Sequence, residues 1–442
     1  MPLSIESVRS DETLPESVDV VIIGGGIAGV AAGYELVRQG HSVALVEKGT
    51  IAGEQSSRNW GWCRKQNRDE REIPLIKYSL ERWASIAQEI GADPGFRATG
   101  ITYVSEQQAD VAQWEAWNKM ARQYDIDSRM LSAVEAATMA NGAQGKWVGG
   151  ATCPSDGRAE PTMAVSVLAG AAQRLGMKIF QHCAARGLER SAGRVSGVVT
   201  ERGTIGAQAV ICAGGVWASM FCRRHGIALA QAGVYGTAMR TERAPEVLTG
   251  GLYVQGLSVR RRLDGGYTLG VSGRGRVDIT PQGLRHARAF WPTFKLRRAG
   301  VKLHLGLSFL QGPEALRYWQ FDQTSPFEEM RVYDPPADPI LVAQALVRLK
   351  QLFPALKDVK IAETWAGLMD NTPDGIPVIS PVASLPGFYL STGYSGHGFG
   401  IGLGAGRLMA DLVANNTPIV APHAFSYERL INGTDLGKPG MM

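Results

Sequence analysis

The chain is predicted to be an α/β protein, and three observations carry that prediction. A β-branched run passes directly into a glycine-rich turn and a helical stretch, the same order returns near the C-terminus, and the composition suits a large buried core. Val18, Val20, Val21, Ile22 and Ile23 form the run, the pattern of a strand covered on both faces. Gly24-Gly25-Gly26-Ile27-Ala28-Gly29 follows at once and opens a helix to about Gln39. Gly40 stands where a helix C-cap would, residues 42–46 read as the next strand, and Glu47 ends it. The β-α-β unit has no slack.

Further along, helices are expected at 71–91, 107–124 and 161–175, the last favoured by Ala169, Ala171 and Ala172. Strands are expected at 177–183, 194–200, 208–212 and 387–391, and a final helix at 400–414. Residues 230–340 alternate strands with a long basic insertion. No fixed-period repeat and no low-complexity tract interrupts the pattern.

A length of 442 residues suits two to three domains, and 45% hydrophobic with 20% charged residues is an ordinary globular balance. The 54 glycines have no collagen period, so they are read as tight turns and close approaches to a ligand. No run of eighteen apolar residues suggests a spanning helix. Glu6, Asp11, Glu12 and Glu16 precede the first apolar stretch, where a secretory signal would need a basic start. Five scattered cysteines without CxxC spacing suggest a reducing, cytoplasmic setting, with neither a disulfide framework nor a zinc site. The seven histidines have no metal spacing either, so no metal is expected. The net charge is +5, yet residues 258–302 alone carry eleven Lys/Arg against Asp264 and Asp278. Such a local basic face, with no recognisable nucleic-acid module, argues against nucleic-acid binding.

Gly24-x-Gly26-x-x-Gly29 follows a strand, opens a helix and is answered by Glu47 at the end of the second strand, the full context of a dinucleotide fingerprint. Gly24 permits the tight turn, Gly26 lets the backbone approach a pyrophosphate, and Gly29 allows close helix–strand packing. The helix N-terminus, beginning at Ile27 and Ala28, offers free N–H groups to the phosphates. Glu47 can accept both ribose hydroxyls, and its charge would repel a 2′-phosphate, which disfavours NADP. A second buried strand, residues 210–215, ends in Ala213 and Gly214, small enough to pass beside a nucleotide. The nearest second fingerprint, Gly400-x-Gly402-x-x-Ala405, lacks an acidic partner; it is read as a helix start that touches a flavin, or as a bare helix N-terminus.

These motifs stand in a familiar order. The fingerprint with Glu47, Ser56-Ser57-Arg58-Asn59, Ile211-Cys212-Ala213-Gly214-Gly215-Val216-Trp217 and Gly393-Tyr394-Ser395-Gly396-His397-Gly398-Phe399-Gly400 together resemble the D-amino-acid oxidase family of FAD enzymes. That family includes glycine oxidase, sarcosine oxidase and related amine dehydrogenases. Within it the chain is most similar to bacterial L-amino acid deaminases, in residues 47–58, 183–189 and 325–328 and over most of its length. The resemblance implies a Rossmann-like FAD-binding domain (16–100, 150–225 and 360–425) interleaved with a mixed-sheet substrate domain (101–149 and 226–359, with a basic insertion at 277–325).

By the same resemblance, Lys48 belongs to the cofactor-binding residues, Ser56 and Ser57 lie near the pyrophosphate, and Arg58 and Asn59 approach the isoalloxazine; otherwise Ser57-Arg58-Asn59 is a solvated loop. Trp217, Gly367, Gly396, Gly398, Phe399 and Gly400 border the flavin, where the helix N-terminus would stabilise negative charge on the reduced ring. His397 falls at the flavin or substrate edge, or merely caps the turn. The segment before Thr372-Pro373-Asp374 has no cysteine, so the FAD is expected to be noncovalent.

An amino acid substrate needs a cation for its carboxylate. Aligned on the Asp264-Gly265-Gly266-Tyr267 turn, Arg260 falls on the family's carboxylate-binding arginine; the alternative is an exposed arginine on an edge strand carrying three of them. Strand alternation puts Arg260 and Arg262 on one face and Arg261 on the other. The implied reaction is transfer of the Cα hydrogen as hydride to flavin N5, followed by hydrolysis of the imino acid to an oxo acid and ammonia. Secondary amines, or a non-catalytic flavoprotein subunit, are the competing readings. Trp60, Trp62, Phe290 and Trp291 could line an apolar pocket. The acceptor is O2 or a membrane quinone: the basic and aromatic insertion could rest on the inner membrane face as a peripheral contact, or serve as a lid.

Overall fold

The computed structural model describes residues 4–437. Its first sheet is built on β1 (Ser17–Ile23), which passes through α1 (Ile27–Arg38) to β2 (Val43–Val46), parallel to β1. The sheet runs Val378–Pro381, Phe388–Thr392, Gly203–Cys212, β1, β2, Lys178–Phe180, with the outermost Val378–Pro381 strand antiparallel. A hairpin, Ala185–Ser191 with Arg194–Thr200, hangs on Gly203–Cys212. The continuous apolar run in β1 follows from burial on both sides. Val20 and Ile22 join a core with α1 and the helix Gly398–Val413, while Val21 faces a second core containing Trp217, Phe221 and Phe388.

The second sheet is mixed and runs Val301–His304, Gly275–Asp278, Ala232–Thr241, Tyr267–Val271, Leu257–Arg261, Gly251–Val254, Ile101–Ser105, Gly149–Cys153, Arg129–Leu131. The long strand Ile361–Asn371 also pairs with Ala232–Thr241. Two segments thus depart from the division expected from sequence. Residues 150–153 and Ile361–Asn371 are expected with the nucleotide unit, but both hydrogen-bond into the second sheet. The second of these carries the chain from one unit to the other: its last residues meet the turn at Tyr394.

The helices α2 (Gln55–Arg58) and α3 (Ile73–Ile90) complete the framework of the site. The arginine-bearing strand Leu257–Arg261 lies between two neighbours, not at an edge, and Arg260 is 1% exposed. The alternative of an exposed edge arginine is therefore corrected. The basic insertion forms the helix Pro281–Arg297 and the short strand Val301–His304. Its Leu284, Trp291, Leu296, Leu303, Leu305, Leu307 and Leu310 are exposed. Among the described residues no helix is long and apolar enough to cross a membrane.

Candidate active site

At the end of β1 the backbone of Gly24 takes a φ of +108°, and a Cβ there would lie 2.5 Å from the carbonyl oxygen of Ala213. Gly29 is held just as closely, since its Cβ would meet the Gly24 carbonyl oxygen at 2.1 Å. The first turn of α1 therefore sits directly on the turn that precedes it. Gly24, Gly26, Gly214 and Gly215 are only half-buried although they lie mid-fold, so they line an open groove that side chains would fill. At one end of it Glu47 accepts hydrogen bonds from the Gly25 and Gly49 amides, both at 2.7 Å. Burial raises the Glu47 carboxyl, while Lys48 and the two amides act in the opposite sense. The amide of Ile27, at the head of α1, donates to Ser56 Oγ at 2.9 Å, so a hydroxyl oxygen stands where a phosphate oxygen would accept. A bare glycine groove, a helix N-terminus and an acceptor for ribose hydroxyls together fit an FAD.

The segment after Ser56 is not a solvated loop. Ser57 and Arg58 are buried, and Ser57 Oγ donates to the Glu54 carbonyl at 3.1 Å. Arg58 Nη1 donates to the carbonyls of Tyr333 (2.9 Å) and Ala366 (3.0 Å) and pairs with Asp334 at 3.0 Å. The guanidinium expected to approach the isoalloxazine is thus engaged in tying α2 to the strand Ile361–Asn371. Asn59 closes the turn instead, donating to Ser56 O (2.8 Å) and accepting from the Gly61 amide (2.7 Å). Gly367 admits α2, because a Cβ there would lie 2.1 Å from Gln55 Oε1. Lys48 Nζ stands 4.4 Å from the centre of the Trp217 ring and pairs with Glu54 at 2.6 Å, while Trp217 Nε1 donates to the same carboxylate at 3.1 Å. Sequence reasoning missed Glu54, which unites these two expected cofactor residues and carries no motif signal of its own.

The glycine-rich helix Gly398–Val413 packs backbone against backbone. A Cβ on Gly402 would reach Ile27 at 2.5 Å, one on Gly406 the Ala31 backbone at 2.5 Å, and one on Gly404 the Leu75 carbonyl of α3 at 2.8 Å. Gly396, with φ +83°, is exposed, and Gly398 at the helix start is half-buried, so the N-terminal turn opens on the same crevice. Phe399 turns away from it and packs on Trp83 at 5.3 Å between ring centres. Trp83 Nε1 and Ser79 Oγ both donate to the Gly400 carbonyl, at 3.0 and 2.8 Å. His397 Nε2 meets Glu72 Oε1 at 2.5 Å, and its Nδ1 is buried with no hydrogen-bond partner among the described residues.

Arg260 faces a residue that sequence reasoning did not single out. Its Nη1 and Nη2 bind the two oxygens of Glu160 at 2.8 and 3.1 Å, and Nη2 also reaches Thr268 Oγ1 at 3.1 Å. Glu160 accepts the Leu263 amide at 2.9 Å, with Arg158 at 3.6 Å and Arg262 at 3.9 Å. Burial alone would raise its carboxyl; Arg260 and Arg262 and the amide outweigh that and lower it. Three guanidiniums thus meet at Glu160, Arg262 also pairing with Asp264 at 2.9 Å, and among the described residues Arg158 Nη1 and Arg260 Nε are buried donors without hydrogen-bond partners. Arg260 lies under the turn after Asn59, since a Cβ on Gly61 would fall 2.9 Å from its Nε. Beside it a cleft of ≈ 160 Å³ is lined by Ser57, Asn59, Arg262, Asp264 and Trp365. Trp60 and Trp62 meet at 6.1 Å nearby, whereas the Trp291 expected with them is exposed on the insertion, stacked on Phe294.

The family described as "DAO: FAD dependent oxidoreductase" matches residues 19–412. The chain is 24% identical to the glycine oxidase of Pseudomonas aeruginosa, over 92% of this chain and 98% of that one. It is also 24% identical to the D-amino acid dehydrogenase of Bradyrhizobium diazoefficiens, over 93% and 98%. Among solved structures, the L-amino acid deaminase from Proteus myxofaciens in complex with anthranilate superposes with a TM-score of 0.91 at 29% identity, covering 97% of this chain and 96% of that one.

Proposed function

Because the chain belongs to the DAO family of FAD dependent oxidoreductases, we propose that it oxidises an amino acid at Cα, yielding an imino acid that water converts to an oxo acid and ammonia. FAD, when bound, accepts the hydride. The task of the protein is orientation, and the observation that carries the reading is the cluster at Glu160. With Arg262 paired to Asp264, Arg260 and Arg158 converge on the one Glu160 carboxylate and leave two buried N–H groups without hydrogen bonds among the described residues, that of Arg260 next to Gly61, which supports one further anion here. The substrate α-carboxylate supplies it, held by Arg260 and Arg158 under the turn that follows α2. Glu47 and the glycine groove would hold the nucleotide end of the cofactor, noncovalently. His397 acts as a positioning residue: Glu72 fixes its ring, and Nδ1 remains for the substrate or ring edge.

Electrons pass on to O2 or a membrane quinone. The exposed Leu303, Leu305, Leu307 and Leu310, next to Arg298 and Lys302, favour a peripheral contact with the cytoplasmic membrane face. The Pro281–Arg297 helix also meets the loop at Pro373, whose carbonyl accepts from Thr293 Oγ1, which supports a second reading of the insertion as a lid.

Anaerobic addition of L-, D- and N-alkyl amino acids to the purified holoenzyme is expected to bleach the flavin spectrum for one class. Bleaching by N-alkyl compounds alone moves the substrate to secondary amines, and no bleaching by any amine makes the protein a non-catalytic flavoprotein. Arg260→Ala should raise KM far more than it changes FAD content. Co-sedimentation with anionic vesicles at low salt checks the membrane contact, which fails if the protein stays in the supernatant.

A further inference from the structure

Outside the Glu160 cluster, the interior charge near the site lies on the short stretch from Arg64 to Glu72. Most of it is paired. Asp156 accepts the Lys65 amide at 2.7 Å and lies 3.6 Å from its Nζ, and Glu72 is taken by His397. Arg64 and Arg68 are left over. Arg64 Nη1 donates to the Gln66 carbonyl, and Arg68 Nε reaches only the Arg64 carbonyl at 3.4 Å. Among the described residues neither guanidinium has a carboxylate within ion-pair distance, although Arg68 is 5% exposed. Burial, and then the like charge of Arg64, bring the Arg68 guanidinium down to about 9. Arg68 is buried and Arg64 beside it is half-buried; a buried cation with no paired carboxylate is costly unless an anion joins it.

The surrounding polar groups are also unpartnered. Among the described residues the Tyr103 hydroxyl, both polar atoms of the Asn118 amide and Trp62 Nε1 are buried without hydrogen bonds. They belong to one neighbourhood. The Trp62 and Tyr103 rings lie 6.2 Å apart, and Trp117, the residue before Asn118, donates its Nε1 to the Arg68 carbonyl at 2.8 Å. This group of side chains adjoins the end of the site where the ring would lie: a Cβ on Gly400 would fall 3.1 Å from Cys63 Cα and 3.2 Å from Trp62 O. Cys63 links the two cationic groups, because its buried thiol feels the charges of both Arg260 and Arg68.

We propose that the substrate carries a second anionic group on its side chain, and that Arg64 and Arg68 receive it with the Tyr103 hydroxyl and the Asn118 amide. The substrate class is then an acidic amino acid, or a related dicarboxylic amine. Its α-carboxylate sits at Arg260 and its side-chain acid at Arg68, with the Trp62 ring between. This inference rests on the proposed amine oxidation and narrows its substrate.

The test compares aspartate and glutamate, in both hands and as N-methyl derivatives, with asparagine, glutamine and leucine in anaerobic bleaching of the holoenzyme. Acids are expected to reduce the flavin with an apparent constant about tenfold or more below that of the matching amide. Arg68→Met should abolish that preference by raising the constant for the acids about tenfold, and Arg68→Lys should restore part of it. Should Arg68→Met fail to fold, glutarate on the unmodified holoenzyme serves instead: it has no amine and is expected to raise the thermal midpoint more than glutaramate does. Equal reduction by acids and amides, or equal protection by glutarate and glutaramate, overturns the proposal while leaving amine oxidation standing. No bleaching by any compound, with glutarate protection intact, overturns amine oxidation instead.

Discussion

Replacing Glu160 by glutamine keeps the shape of the side chain but removes the carboxylate on which Arg158, Arg260 and Arg262 converge. In the native chain that carboxylate receives two bonds from Arg260, at 2.8 and 3.1 Å, and one from the Leu263 amide at 2.9 Å. Glutamine offers one acceptor oxygen, and its amide group meets an Arg260 donor head-on. Arg260 is 1% exposed and cannot recover solvation by swinging out. Removing one partner of a buried ion pair costs about 3–5 kcal/mol, mostly from the cation left behind. The assay is thermal unfolding of the holoenzyme, followed by release of flavin fluorescence, for Glu160→Gln, Arg260→Met and the double variant. The double variant is expected to be less destabilised than the sum of the two single ones by about 2 kcal/mol or more. Strict additivity, or a Glu160→Gln loss below about 1 kcal/mol, would refute the view that Glu160 neutralises a buried arginine cluster.

Two further outcomes follow from the geometry. The Glu314 carboxyl accepts the Gly233 amide at 2.8 Å, and burial pushes it up to about 7 from 4.5. Between those values the folded chain binds more protons than the unfolded one, so its contribution to stability falls as pH rises across that window, by at most about 3 kcal/mol. The difference in unfolding midpoint between wild type and Glu314→Gln, scanned from pH 4.5 to 7, should change accordingly, and a flat difference contradicts the assignment. Gly29→Ala places a methyl group 2.1 Å from the Gly24 carbonyl oxygen and should displace the turn, so the purified variant is expected to lose most of its FAD while a surface control such as Gly170→Ala retains it. Full FAD content in Gly29→Ala would show that the turn does not carry the cofactor.

The parts of the fold that were legible in the sequence are those set by local rules. The run from Val18 to Ile23 and the helix from Ile27 were readable because a doubly covered strand and a glycine turn leave a short-range pattern. The Asp264-Gly265-Gly266 turn between strands was readable for the same reason. What escaped depends on pairing across long separations. Nothing local in residues 361–371 reveals that the strand joins Ala232–Thr241 and not the first sheet. Glu160 stands a hundred residues from Arg260, and only the packing of its helix start against the second sheet brings them together. A Glu–Pro step at a helix start reads as an ordinary N-terminus, and its role as a counter-ion becomes visible only once the three arginines are seen around it. Arg58 shows the reverse: its motif was evident, but the carbonyls that hold it come from Tyr333 and Ala366.

The contact of Gly400 with the main chain of Trp62, Cys63 and Arg64 has a bearing on how such an enzyme diverges. The ledge that would support the yellow cofactor and the wall that would select the reactant are one continuous surface of peptide units, with no spare ångström between them. A descendant cannot widen that chamber by shifting the ledge without also tilting the redox group. On the substrate reading proposed above, new diets would come from exchanging what hangs from positions 62, 64, 68, 103 and 118, on a scaffold that stays still.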